Sequence, residues 1–236
     1  MEPSQNTSLR RLVTIPAICL PLFASFFYFV WFPGTAFGNS FYAGVKFFMI
    51  IWPFVAVWLI LKEKFHERNG PRNHKMSLLV GAAFGVLTVG TLLVLMKLTP
   101  VGGMVYDNAG RIAQRITDLG IKDYYLFFAL FVSILHAALE EFFWRYFAYG
   151  QLRKLISVPA AVFVAGIGFA AHHIVVLTQF VSVPLAVILG LLVGVGGAVW
   201  SVIYQRYNSL WGAWFSHMII DFGIMWIGWE ILQMVG

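Results

Sequence analysis

The chain has 236 residues, of which 60% are hydrophobic and only 11% are charged. Soluble domains contain roughly a quarter charged residues, so this composition excludes an ordinary soluble protein and indicates one embedded in a lipid bilayer. The net charge of +6 requires no nucleic-acid partner, because cytoplasmic loops of membrane proteins are rich in Lys and Arg. Cys19 is the only cysteine, which excludes an internal disulfide.

Seven predominantly apolar stretches are each near the roughly 20 residues needed to cross the bilayer core. In chain order they are Leu12–Phe32, Tyr42–Leu61, Met76–Met96, Tyr124–Gly150, Val158–Phe180, Val183–Tyr204 and Leu210–Met234. The seventh is long enough to be broken in two, which would give eight spans. The sequence therefore predicts an all-α, polytopic transmembrane bundle that forms one domain over 1–236, with a catalytic core at about 124–234.

The first span follows two arginines, as a signal peptide does, but its apolar run is too long, so we expect a retained anchor. If seven helices alternate, the most basic segments all lie on one side, which should be the cytoplasm. These segments are Arg10 and Arg11, Lys62–Lys75, Arg153 and Lys154, and Arg206. We expect a multi-pass protein of a bacterial or archaeal cell membrane with its N-terminus in the cytoplasm.

Small residues at helical spacing predict where helices approach closely. Gly81 and Gly85 form such a pair in the third span, and Gly190, Gly194 and Ala198 form a longer series in the sixth. In lipid, such faces let helix backbones come together. We interpret both faces as packing surfaces.

Two polar features are expected at the membrane surface. Lys46, near the start of the second span, can extend its ammonium to the interface. The segment RIAQRITDLG places Ile112, Ile116 and Leu119 on one face of a short helix that Gly120 could end. This helix is expected to lie in the interface.

Eight ionisable groups remain inside the later spans. They are His136, Glu140, Glu141, Arg145, His172, His173, His217 and Asp221. A charged Asp, Lys or Arg at the centre of a transmembrane helix costs about 2.5 to 3.5 kcal/mol on the insertion scale, so such residues are usually paired or functional. The groups come from three helices at similar depth, and we expect them to converge if those helices are neighbours.

Helical spacing divides the two adjacent glutamates. Glu141 and Arg145 are four residues apart with the acid first, the favourable order for an ion pair. Glu140 points about 100° away from Glu141, so the same partner cannot serve both. Glu140 is therefore left for chemistry. We interpret His172 as a packing residue that faces elsewhere than His173, and the role of His136 stays open.

Three motifs in chain order are similar to those of the CPBP family of intramembrane proteases (CAAX processing and bacteriocin processing). EEFFWR fits the pattern EExxxR, FAAHH contains FxxxH from Phe169 to His173, and HMIID supplies a second histidine with a polar residue four positions later. The resemblance covers about 85 residues, Leu139 to Gly223. It implies an all-helical bundle and a glutamate-dependent endopeptidase. We expect this enzyme to need no cofactor.

The resemblance also implies roles for particular residues. Glu140 would be the general base and His173 its partner in activating a water molecule. His217 and Asp221 would stabilise the oxyanion that forms at the scissile carbonyl, and Glu141 with Arg145 would support the site. The implied substrate is a membrane-anchored protein or a peptide precursor.

Asp221 departs from the family pattern, because many members have asparagine there. An ionised aspartate cannot donate a hydrogen bond to an oxyanion. Asp221 would have to carry a proton, or else orient His217.

Three other interpretations suit the same residues. Glu and His ligands from separate helices could form a catalytic zinc site with an open position, although the chain contains no HExxH motif. Acid and histidine series also carry ions across membranes, but there is no inverted repeat and the polar residues lie in the second half. A non-catalytic membrane scaffold or immunity protein could retain the same side chains.

Overall fold

The computed structural model describes residues 3–63 and 71–235, with side chains from residue 6 onward. This part of the chain forms nine helices and contains no strand. We number them α1 (Pro3–Phe26, continued by a π-helical segment Phe27–Trp31), α2 (Ala36–Phe54, continued by a π-helical segment Val55–Ile60), α3 (His74–Leu98), α4 (Pro100–Tyr106), α5 (Ala109–Asp118), α6 (Lys122–Leu152), α7 (Val158–Leu177), α8 (Val183–Tyr207) and α9 (Trp211–Val235).

Seven of these helices are long and apolar enough to cross a membrane, which confirms the predicted all-α polytopic bundle. The last span is one continuous helix, Trp211–Val235, so the described residues give seven spans, the first of the two numbers that the sequence allowed. Large apolar side chains point outward along the spans, as lipid-facing surfaces require. Residues 64–70 of the basic segment Lys62–Lys75 lie outside the described part of the chain.

The predicted small-residue faces are sites of close helix contact. A Cβ added at Gly81 would meet the backbone oxygen of Gly212, so α3 and α9 touch backbone to backbone. Between α7 and α8, a Cβ added at Gly194 would lie 3.0 Å from the backbone oxygen of Gly166 and 2.8 Å from the Cβ of Ala170. These contacts place α7 and α9, which both carry site histidines, in fixed positions.

The basic segments lie together at one end of the bundle. Arg10 Nη2 is 2.8 Å from Glu63 Oε1, and Lys154 Nζ is 2.7 Å from Glu63 Oε2. Burial alone would raise the pKa of Glu63, but hydrogen bonds from Arg10 and Lys154 hold it below its ordinary value. Asn73 donates its backbone N–H to Tyr207 at the same end. The beginnings of α1 and α3 therefore lie beside the ends of α2, α6 and α8.

The short amphipathic helix was predicted correctly, but the surroundings of its apolar face were not. Helix α5 is followed by Gly120 with a φ of +69°, which favours glycine. Ile112 and Ile116 are buried in a cluster with Ile227 and Ile231 of α9. This face packs on the protein, so it is not available to insert into lipid.

Helix α6 carries the EExxxR motif and is irregular. It contains two π-helical segments, Phe131–His136 and Phe142–Tyr149, on either side of the α-helical turn Ala137–Glu141. π-Helical segments within α-helices occur frequently at functional sites. One carbonyl in the first segment, that of Ile134, accepts a hydrogen bond of 2.9 Å from Trp214 Nε1. This bond ties α6 to α9 beside the motif.

Candidate active site

Glu140 is a buried carboxylate, only 2% exposed, with three basic groups around one of its oxygens. Its Oε1 lies 3.2 Å from His136 Nε2, 3.5 Å from His172 Nε2 and 3.7 Å from Lys46 Nζ. Those three side chains come from α6, α7 and α2. A buried carboxylate needs partners of this kind, because desolvation strongly disfavours an isolated charge.

His173 belongs to the same group of side chains. Glu140, His172 and His173 each offer a ligand atom within 4.8 Å of the other two. His173 Nδ1 lies 2.8 Å from the carbonyl oxygen of Phe169. With the proton on Nδ1, that nitrogen donates to the carbonyl and Nε2 is an acceptor directed elsewhere. His173 is thus oriented by its own helix, as a catalytic or metal-binding histidine requires.

Two expectations about the basic groups were wrong. His172 does not face separate surroundings from His173, since their ring centroids are 4.1 Å apart and both rings lie beside Glu140. Lys46 does not extend to the membrane surface, since α2 begins at Ala36 and places this residue well inside the span, with its ammonium directed at Glu140. The apparent span start at Tyr42 concealed this depth.

Glu141 has a separate set of partners. Its Oε1 lies 3.0 Å from Arg145 Nη1 and 2.9 Å from His217 Nδ1. The Arg145 contact is an ion pair whose N–H is not well aligned for a hydrogen bond. All three side chains are at most 5% exposed. The predicted Glu141–Arg145 pair is therefore present, and Glu140 and Glu141 do not share a partner.

Aromatic rings enclose the guanidinium of Arg145. Its Cζ lies 4.6 Å from the ring centroid of Phe169 and 5.0 Å from that of Trp200. Such cation–π contacts stabilise a desolvated guanidinium. Gly197 leaves the room for it, because an added Cβ would lie 2.9 Å from Arg145 Nη2.

Phe169, the first residue of the FxxxH motif, lies between the side chains around Glu140 and those around Glu141. Its ring centroid lies 4.5 Å from that of His173 and 5.9 Å from that of His217. The ring is 1% exposed and also packs edge-on against Trp144 and Trp200. The first residue of the motif therefore contributes to the packing between the two histidines and the two tryptophans.

His217 lies between two carboxylates. Besides the contact of Nδ1 with Glu141, its Nε2 is 3.5 Å from Asp221 Oδ2. Trp200 stacks on the imidazole with a centroid distance of 4.3 Å and an interplanar angle of 17°, and donates a hydrogen bond of 3.0 Å to Ser216. This arrangement holds the ring of His217 in one orientation and matches the alternative in which Asp221 orients it.

The three motifs thus come together as expected from their depth. Three further residues join them: His136, Trp200 and Lys46. The sequence shows that His136 lies one turn before Glu140. It does not show that Trp200 and Lys46 lie near the motifs, because no spacing rule relates α8 or α2 to the motif helices.

A family comparison agrees with this geometry. Residues 122–223 match the model of the type II CAAX prenyl endopeptidase Rce1-like family. This region is therefore similar to the CAAX protease family. The match covers a little under half of the chain and includes all three motifs from α6, α7 and α9, and it confirms the resemblance seen in the sequence. No curated protein and no solved structure matches the chain significantly.

The CAAX protease family is one of intramembrane peptidases, and the seven apolar spans fit an integral, multi-pass membrane protein. The spans and the family together fit a lipid bilayer and a membrane-associated substrate. Helix α2, which carries Lys46, lies outside the matched region.

Proposed function

We propose that the chain is an intramembrane endopeptidase in which Glu140 activates a water molecule for attack on a peptide bond. The observation that carries the proposal is the position of Glu140, a buried carboxylate with His172 at 3.5 Å and a nitrogen of His173 within 4.8 Å. The His173 separation can be bridged by one water molecule hydrogen-bonded to both side chains.

In this mechanism Glu140 removes a proton from the water as its oxygen attacks the scissile carbonyl carbon. His173 Nε2 positions the same water by accepting its other hydrogen. The protonated Glu140 then gives its proton to the leaving amine, so that water and peptide become a carboxylic acid and an amine. The carboxylate is thereby restored for the next cycle.

The negative charge that develops on the carbonyl oxygen needs a donor. His217 fills this role when both of its ring nitrogens are protonated: Nδ1–H donates to Glu141, and Nε2–H donates to the oxyanion. Asp221, 3.5 Å from Nε2, orients the ring and balances its charge. Glu141 and Arg145 are structural in this scheme.

A zinc-dependent form of the protease is a second candidate, favoured by the donor set of Glu140, His172 and His173. A carboxylate and two imidazoles fit zinc in type, and Nε2 of His172 is buried without a hydrogen-bond partner among the described residues. These three side chains would hold the ion, which would supply Lewis acidity and an activated water.

The decisive experiment compares protein termini in membranes of cells that carry the wild-type chain or Glu140→Gln at equal expression. We expect new termini only with the wild type, and their sequences would identify the substrate. Identical termini in both membranes, together with a host phenotype that the variant retains, would favour the scaffold interpretation. Activity that survives chelation would eliminate the zinc form, and activity restored only by added zinc would support it.

A further inference from the structure

Lys46 faces Glu140 from a helix that the family match does not include. Its ammonium lies 3.7 Å from Glu140 Oε1 and 5.4 Å from the centroid of the Tyr42 ring. Its side chain is 29% exposed, and within the described ranges its ammonium makes no hydrogen bond. A lysine with a long aliphatic stem could have reached a membrane surface. Instead, it keeps its charge beside the carboxylate.

Lys46 faces the carboxylate that would take part in a metal site with His172 and His173. The Glu140 Oε1 atom that it faces also lies 3.5 Å from His172 Nε2. A zinc ion at this cluster would be held by the carboxylate of Glu140 and the imidazoles of His172 and His173. Its two positive charges would then lie close to the ammonium of Lys46, which would repel them.

We propose that Lys46 takes the place of a divalent cation at Glu140, so that the Glu140–His172–His173 cluster works without a bound metal. The inference rests on the proposed function, whose metal-free form it explains. Lys46 acts here as a positioning residue, because it contacts Glu140 and not the reacting atoms. It balances the carboxylate charge while it leaves the carboxylate able to receive a proton.

The other groups that face Glu140 do not replace Lys46 in this role. His136 and His172 come within 3.5 Å of the same oxygen, but imidazole nitrogens are common metal ligands and do not exclude a cation. Arg145 lies beside Glu141. Among the described residues, Lys46 is therefore the side chain next to the Glu140 oxygen that carries an ammonium group.

The test measures binding of Co²⁺, a spectroscopic substitute for zinc, to the purified full-length protein in detergent. We expect weak binding by the wild type and at least about tenfold tighter binding by Lys46→Met, a change typical for groups around a metal site. Adding His172→Ala to Lys46→Met should abolish the gain. Lys46→Arg, which keeps the charge, should bind as weakly as the wild type.

Lys97→Met is the matched control, because Lys97 bonds to Glu230 at 2.6 Å, away from the site. It should leave Co²⁺ affinity unchanged. A loss of packing alone would not create a metal site, so increased affinity in Lys46→Met would separate positioning by charge from a merely structural role. Lys46→Gln serves the same purpose if the methionine variant does not purify as a single species.

Equal Co²⁺ affinity in the wild type and both neutral variants would overturn the inference, as would tight stoichiometric binding by the wild type. This outcome is distinct from failure of the proposed function. Unchanged cleavage by Glu140→Gln would refute the glutamate mechanism whatever the metal affinity, while a cobalt titration reports on Lys46 whether or not a substrate is known.

Discussion

Glu140 and Glu141 are adjacent in sequence and equally buried, yet their surroundings differ. Glu140 has partners from α2, α6 and α7, and two of them are partly exposed: Lys46 by 29% and His136 by 25%. Glu141 meets Arg145 and His217, which are exposed by no more than 5%. One carboxylate therefore has a side open to its surroundings, and the other is enclosed.

The difference teaches that burial alone does not assign a role to a carboxylate in a membrane protein. A fully enclosed ion pair costs desolvation and contributes mainly to a single packed arrangement. A carboxylate whose partners are partly exposed can be reached by water and substrate. The comparison predicts that substitutions around Glu140 change activity and those around Glu141 change stability.

Glu140→Gln should produce the largest effect. The amide keeps the size of the side chain but cannot act as a base, so we expect cleavage to fall by about 10² to 10⁴-fold. The midpoint of thermal unfolding in detergent should stay close to that of the wild type. Substantial residual cleavage would contradict the catalytic role of Glu140, since the accessible carboxylate would then be dispensable.

Arg145→Ala should act on folding. It leaves Glu141 as a buried charge with one partner fewer, which costs about 3 to 5 kcal/mol of the free energy of unfolding. Thermal unfolding of the purified variant and its yield in membranes measure this loss. Arg206→Ala is the matched control, because Arg206 is exposed and its removal should change stability by less than about 0.5 kcal/mol. Equal stability of the two variants would contradict the structural role.

Trp200→Phe, a substitution near Glu141 and His217, should have a smaller effect on stability. The phenyl ring can still stack on His217, but Ser216 Oγ loses the hydrogen bond that Trp200 Nε1 donates. Leaving this buried hydroxyl unpaired should cost about 1 to 2 kcal/mol. Chemical or thermal unfolding provides the value, and kcat should change little once the variant is folded. A large drop in kcat would show that Trp200 contributes to catalysis as well as to stability.

Glu63→Gln extends the comparison to a carboxylate outside the spans and should have the smallest effect. The pKa of Glu63 is lowered in the folded protein, so its ion pairs stabilise the protein above its ordinary pKa of about 4.5 and lose that contribution as the pH falls further. At pH 7 the substitution should cost about 1 kcal/mol.

Unfolding of the wild type and of Glu63→Gln should therefore differ at pH 7 and converge below the folded pKa. Lys62→Gln removes a neighbouring exposed charge and serves as the control. A difference between wild type and Glu63→Gln that persists unchanged at the lowest pH would show that packing, and not charge, explains the loss.

The sequence was sufficient to predict the spans and the convergence of the motifs, because apolar length and depth along a helix are local properties. Glu141 and Arg145 are a turn apart on one helix, and their pairing followed from that spacing. Lys46 could not be placed, because the partner of a residue on α2 depends on which helix packs beside it. Its contact with Glu140 also weakens the expectation that the polar site belongs only to the second half of the chain.

The π-helical segments of α6 could not be predicted from the sequence either. No glycine or proline marks the segments Phe131–His136 and Phe142–Tyr149, and a run of apolar residues has the same pattern in an α-helix and in a π-helix. His172 was misassigned for a related reason. Adjacent residues point about 100° apart on a helix, but the cluster extends around enough of α7 for the side chains of His172 and His173 to reach it together.

The π-helical segment Phe131–His136 also affects how the length of α6 can vary. Because a π-helical turn holds one residue more than an α-helical turn, loss of one residue there can be absorbed by rewinding to α-helix. Tyr125, whose hydroxyl donates to the Met225 carbonyl at 2.9 Å, and Glu140 would both keep their facing directions. A single deletion between His217 and Asp221 in the regular helix α9 would instead turn the following residues by about 100°. Alignments that place a one-residue gap just before the EExxxR motif are therefore compatible with an unchanged site, whereas a gap inside the last motif is not.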